Sequence, residues 1–180
     1  VPLYLEDLSF DRARSLSADA TLGVQLTMVF VGTQRASVII LGRTNDVSDW
    51  QRNVVGLVGI AATTTAPNHE SHAEIRARCT NVMDPAALYT RMDSYGLSYG
   101  NSFRCLHELY VGRDEALARI RLSDDSCGNM KRYCLHPSVI ESCLQVLYLP
   151  LQSLLGPGAY IIKKLVNLRL YHRPQEEFWV

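Results

Sequence analysis

The chain has 180 residues, 47% hydrophobic and 20% charged, a composition that suits one ordinary globular domain or two small subdomains and excludes a disordered chain. Its formal charge is zero, so no electrostatic pull toward nucleic acid or anionic lipid is expected, and the Lys163-Lys164 pair is too short to create one. Five cysteines (Cys79, Cys105, Cys127, Cys134 and Cys143), an odd number without a C-x-x-C pair, argue against a disulfide framework and a zinc ribbon and read as reduced packing residues.

The opening VPLYLEDLSF carries acids where a secretory signal would carry basic residues, and no uninterrupted apolar run approaches the length of a membrane span, so a cytoplasmic location is expected. A chain that starts at Val1 and ends at Phe178-Trp179-Val180 reads as a fragment, a processed piece or an excised domain. From Thr21 to Val31, Leu22, Val24, Leu26, Met28 and Phe30 recur at every second position, the period of a strand with one buried face. A turn at Gly32 to Arg35 leads into a strand from Ala36 to Leu41, which together make a hairpin signal. The β-branched, glycine-dotted run from Asn53 to Ala62 reads as a third strand buried on both faces.

Ala61 to Ser71 is small and polar with a proline, which marks a connection. Asp84-Pro85 then predicts a helix start, with Leu88, Met92 and Tyr95 on one face and Gly96 as its stop. Cys105 to Val111 and Ala116 to Leu122 read as strands, with Ala118, Ile120 and Leu122 facing away from Arg119 and Arg121. Ser123 to Arg132 is expected as a polar loop. His136-Pro137 predicts a second helix whose apolar residues Val139, Ile140, Cys143, Leu144 and Leu147 face a core, and Val166, Leu168 and Leu170 alternate in a final strand. This order predicts an α+β fold: residues 1–66 as one subdomain, 67–83 as a linker and 84–180 as a second subdomain. The sequence shows no internal repeat.

On the second predicted helix Glu141, Gln145 and Tyr148 share a stripe opposite the apolar face, which periodicity alone reads as a solvated polar stripe. In the preceding YGLSYGNSFR segment, Gly96 and Gly100 let the backbone turn and pass close to a ligand, and Tyr99 and Phe103 offer apolar walls; the same residues also fit a helix cap followed by a turn with core aromatics. His69 and His72 have a His-x-x-His spacing without a third nearby ligand and read as a solvated loop rather than a metal site. His107 fits a strand face and His172 a polar end. There is no G-x-S-x-G elbow and no glycine-rich phosphate loop with a lysine.

The pair YGLSYGNSFR and HPSVIESCLQ, from His136 to Gln145, resembles the YGPxF and HPxxLDxxxQ motifs of the dehydratase domains of polyketide synthases and animal-type fatty acid synthases. The resemblance runs from about Leu5 to Tyr171 and is specific from Leu88 to Gln145. It implies a partial double hotdog, antiparallel sheets wrapped around central helices, with the first central helix missing and both hotdogs incomplete. The implied chemistry is loss of water from a 3-hydroxyacyl thioester carried on the phosphopantetheine of an acyl carrier protein, with no further cofactor and no metal. Glu141 takes the place of the family's aspartate as the acid, with Gln145 hydrogen-bonded to it and orienting it. The implied substrate-binding residues are Tyr99, Gly100, Phe103, His136 and Pro137. Implied partners are the acyl carrier protein-bound thioester, neighbouring synthase domains and a second copy in a homodimer.

Three positions depart from the family pattern: Glu141 for aspartate, Asn101 for the proline of YGPxF, and Asn53 for the histidine of a W-x-x-H-x-x-G strand that DWQRNVVGLV resembles. The family's catalytic base, in an H-x-x-x-G-x-x-x-x-P motif, matches none of the five histidines here. The resemblance therefore supports a dehydratase domain that is incomplete or inactive as this chain. The alternative is a non-catalytic pseudo-dehydratase module that holds structure or an acyl chain. A free-standing hotdog thioesterase fits the two motifs less well.

Overall fold

The computed structural model describes residues 3–12, 18–45, 49–60, 65–66 and 68–180. The chain forms two compact units, one of residues 1–66 with 161–172 and one of residues 67–160 with 173–180. Part of the expected connection from Ala61 to Ser71, namely residues 61–64 and 67, lies outside the described residues.

The first unit contains a five-stranded sheet in the order β2-β3-β4-β1-β8. Strands β2 (Leu22–Phe30) and β3 (Arg35–Thr44) form the predicted hairpin, turning at Gly32 with φ +78°. β4 (Gln51–Ile60) pairs antiparallel with β3 on one side and with β1 (Leu3–Phe10) on the other. The glycines of β4 answer to close packing: a Cβ on Gly56 would collide with the Asp7 carbonyl oxygen, and one on Gly59 would lie 2.6 Å from the Tyr4 ring. Only these two residues of β4 are buried, so the expectation of a strand buried on both faces is corrected.

β8 (Lys164–Leu170) pairs antiparallel with β1, bringing Leu168 opposite Leu5 and Leu170 opposite Leu3, and Lys164 Nζ lies 2.8 Å from Asp7 Oδ1. This corrects the expected grouping of residues 84–180 as one subdomain. The alternation was legible, but the partner strand lies about 160 residues away in sequence and no local pattern specifies it.

The second unit contains a four-stranded antiparallel sheet, β5-β6-β7-β9, built from Asn81–Val82, Leu106–Val111, Ala116–Arg121 and Glu177–Trp179. Its helices are α1 (His72–Arg78), α2 (Pro85–Ser94), α3 (Asp124–Asn129) and α4 (Pro137–Leu155). The segment expected as a linker thus holds α1 and β5. Ser71 starts α1 in a capping box, its Oγ accepting from the Glu74 amide while the Glu74 carboxylate accepts from the Ser71 amide. The expected polar loop 123–132 folds into α3 and a 3₁₀ turn, Met130–Arg132. Leu88, Met92, Leu109, Ile120, Val139, Val146 and Leu149 close the core between the helices and the sheet.

Candidate functional site in the second unit

α2 begins where Asp84 caps it, the carboxylate accepting from the Ala86 amide at 2.9 Å, with Pro85 in the first turn. It ends at Gly96, whose φ of +81° lets the Leu97 amide turn back to the Met92 carbonyl at 2.9 Å. The chain then runs to a 3₁₀ turn at Asn101–Phe103. Asn101, where the family carries proline, continues this turn with its carbonyl accepting from the Arg104 amide at 3.2 Å.

α4 holds that loop in place. Periodicity alone turns its polar stripe to water, whereas the resemblance makes Glu141 and Gln145 part of a site. In the structure Ser138, Ser142 and Gln145 are buried, Gln145 to 1% exposure, Val139 is buried as expected, and Leu147, expected to face the core, is 47% exposed. Burial of these polar groups is sustained by hydrogen bonds: Ser142 Oγ donates to the Ser138 carbonyl in its own helix at 2.6 Å, and the other two donate to loop carbonyls. Ser138 Oγ donates to the Ser102 carbonyl at 2.7 Å, and Gln145 Nε2 to the Phe103 carbonyl at 3.0 Å. Arg104 Nε closes the loop on itself by donating to the Tyr99 carbonyl at 2.8 Å. The helix is long and apolar enough to cross a membrane by length and composition, but Glu141, Gln145 and Gln152 interrupt its apolar run and its buried face is that of a core helix.

The structure brings Tyr99, Phe103, Glu141 and Gln145 together. Tyr99 is half-buried, and the Glu141 carboxyl lies near enough to its hydroxyl to act on its ionisation. Burial first, then the neighbouring Glu141 carboxyl, push the Tyr99 phenol far above its ordinary range, so it stays protonated at neutral pH. The Gln145 amide oxygen accepts from Tyr89 Oη at 3.2 Å and its nitrogen donates to the Phe103 carbonyl at 3.0 Å.

Two of the expected substrate contacts have structural tasks. His136 caps α4, its Nδ1 accepting from the Ser138 amide at 3.1 Å, which makes Nε2 the donor to Asn129 Oδ1 at 2.8 Å. Pro137 occupies the first helical position. Gly100 has an ordinary φ of −73°, and a Cβ there would meet nothing within 4 Å, so packing within the protein does not demand glycine. His72, expected in a solvated loop, begins α1 and stacks on Trp179 with ring centroids 5.2 Å apart.

Tyr89 was not singled out in the sequence, and its place beside the site was missed. Burial pushes its phenol up to about 12, against the opposing effect of the Leu106 amide that donates to it. The available signal was a tyrosine on a core face, where the hydroxyl needs a partner.

Antiparallel sheets with helices in this arrangement define an α+β double-hotdog fold, and the solved structures agree. The dehydratase domain from the CurK module of curacin polyketide synthase superposes with a TM-score of 0.88 at 22% identity, covering 98% of this chain and 63% of that one. The dehydratase domain of the polyketide PpsC from Mycobacterium tuberculosis gives a TM-score of 0.71 at 22% identity, covering 92% of this chain and 57% of that one. The family model described as polyketide synthase dehydratase N-terminal domain matches residues 67–180. Highly reducing polyketide synthase otaA of Aspergillus carbonarius is 30% identical over 133 residues, 70% of this chain and 5% of that synthase. Polyketide synthase PksN of Bacillus subtilis is 35% identical over 57 residues, 32% of this chain and 1% of that protein. The chain belongs to the polyketide synthase dehydratase family.

Proposed function

We propose that this chain forms the acid side of a dehydratase acting on 3-hydroxyacyl thioesters. The substrate would be carried on the phosphopantetheine of an acyl carrier protein, alongside neighbouring synthase domains in the cytoplasm. The observation that carries the reading is that α4, which bears Glu141, is tied through Ser138 and Gln145 to a loop whose Tyr99, Ser102 and Phe103 carbonyls are each held by a side-chain donor. An acid that must meet a departing hydroxyl needs this kind of fixed placement, because misplacement by about 1 Å can cost roughly a hundredfold in rate.

In this reaction a base removes the proton at C2, the C3–O bond breaks as the C2=C3 bond forms, and Glu141 gives its proton to the leaving oxygen. The Tyr99 hydroxyl then donates to the carboxylate that remains. None of the five histidines is assigned as the base; His136 has both ring nitrogens engaged. The base is expected from another segment of the synthase.

A 3-hydroxyacyl-pantetheine thioester offered to the full-length protein tests the reading. The expected product is the 2-enoyl thioester with release of water. Tight binding of the thioester without elimination would support the pseudo-dehydratase module instead, which the three departures Asn53, Asn101 and Glu141 favour.

A further inference from the structure

We infer that Tyr89 is a positioning residue for the Tyr99–Glu141 pair, acting through Gln145 and the loop of residues 99–104. The inference rests on the reading of Glu141 as the acid and assigns a task to a residue outside the recognised motifs. Tyr89 lies on α2, 5% exposed, and its hydroxyl joins two elements that frame the loop. It accepts from the Leu106 amide at 3.2 Å, at the first residue of β6, and donates to Gln145 Oε1 at 3.2 Å.

That second bond fixes the orientation of the Gln145 amide. With its oxygen turned to Tyr89, the nitrogen faces the Phe103 carbonyl, to which it donates at 3.0 Å. Without a donor at Tyr89, the flipped amide would place an acceptor against a carbonyl, which is repulsive, and the buried oxygen would lose its partner. The ring contributes too. Its centroid lies 6.3 Å from that of Tyr99 at an interplanar angle of 62°, and the Arg104 guanidinium sits 5.2 Å from the ring centroid while Arg104 Nε holds the Tyr99 carbonyl. Tyr89 therefore touches the groups that set where the Tyr99 hydroxyl stands, without reaching Glu141 itself.

Tyr89→Phe keeps the ring and removes only the hydroxyl. In the full-length protein the expected result is a kcat lowered about tenfold with KM within about twofold, since the acid is misaimed while acyl-chain binding is unchanged. Tyr110→Phe is the control: it also removes a tyrosine hydroxyl, one that donates to Glu108 at 2.6 Å, and kcat should not move. Independently of turnover, hydrogen exchange at the Leu106 amide and at residues 101–104 should accelerate in Tyr89→Phe and stay as in the wild type in Tyr110→Phe. Unchanged exchange at those amides overturns the inference. So does unchanged kcat in Tyr89→Phe when Glu141→Gln is inactive. Full turnover by Glu141→Gln overturns the acid assignment first and the inference with it.

Discussion

In the second unit, helices packed on a four-stranded sheet bury Leu88, Met92, Leu109 and Ile120 almost completely, whereas in the first, Val24, Leu26, Met28 and Phe30 of β2 lie at 46–74% exposure. Both units carry the alternation of apolar residues that makes a strand. The difference teaches that alternation selects a face but does not cover it; covering the face needs a second layer. In the second unit that layer also carries the candidate chemistry, because the helix that closes the core, α4, presents Ser138 and Gln145 to the loop of Tyr99.

The contrast can be broken first at its strongest point. Leu109→Ala in the second core should cost about 3 kcal/mol in denaturant unfolding, with the residual cavity setting the final value. A loss below about 1 kcal/mol would mean that the core relaxes into the space. The alkaline limb comes next. Tyr89 has a folded pKa of about 12 against an ordinary value of 10.0, so its contribution is fully present below pH 10 and is lost as pH rises through 12. Over that window wild type should lose about 2–3 kcal/mol that Tyr89→Phe does not lose, read from unfolding curves at each pH.

A smaller effect belongs to α1. Ser71→Ala removes one side of the capping box and should cost about 1 kcal/mol. The Glu74 carboxyl is held below its ordinary range chiefly by the Ser71 amide, which Ser71→Ala keeps, and next by the Ser71 hydroxyl, which it loses; the stability gap between Ser71→Ala and wild type should therefore narrow only by the hydroxyl's share as pH falls through the folded value. The smallest effect is expected on β2, an end strand of its sheet. Leu26→Lys should change unfolding free energy by no more than about 0.5 kcal/mol, yet reduce concentration-dependent association in light scattering, because a charge on an apolar edge opposes strand pairing.

Much of the fold was legible locally. The hairpin of β2 and β3, the Asp84-Pro85 and His136-Pro137 helix starts and the stop at Gly96 each follow from residues whose backbone preferences act within a few positions. The capping box at Ser71 and Glu74 was equally local and was overlooked inside a stretch read as linker. What could not be read depended on partners distant in sequence. The pairing of β8 with β1 is one case. The inward turn of Ser138, Ser142 and Gln145 is another, since periodicity sorts side chains by polarity and has no term for carbonyls waiting at residues 102 and 103. The motif positions Tyr99, Phe103, Glu141 and Gln145 were found through resemblance; that Gln145 holds the loop was visible only in the structure.

The central claim is that α4 supplies an acid aimed by the Tyr99 loop, and Glu141→Gln in the full-length protein tests it most directly. The variant keeps the side chain's length and its capacity to accept from Tyr99 but has no proton to give to the departing hydroxyl. With a 3-hydroxyacyl-pantetheine thioester, the account predicts that kcat for elimination falls at least about a hundredfold while the unfolding midpoint stays at the wild-type value. Elimination by Glu141→Gln at the wild-type rate would contradict it.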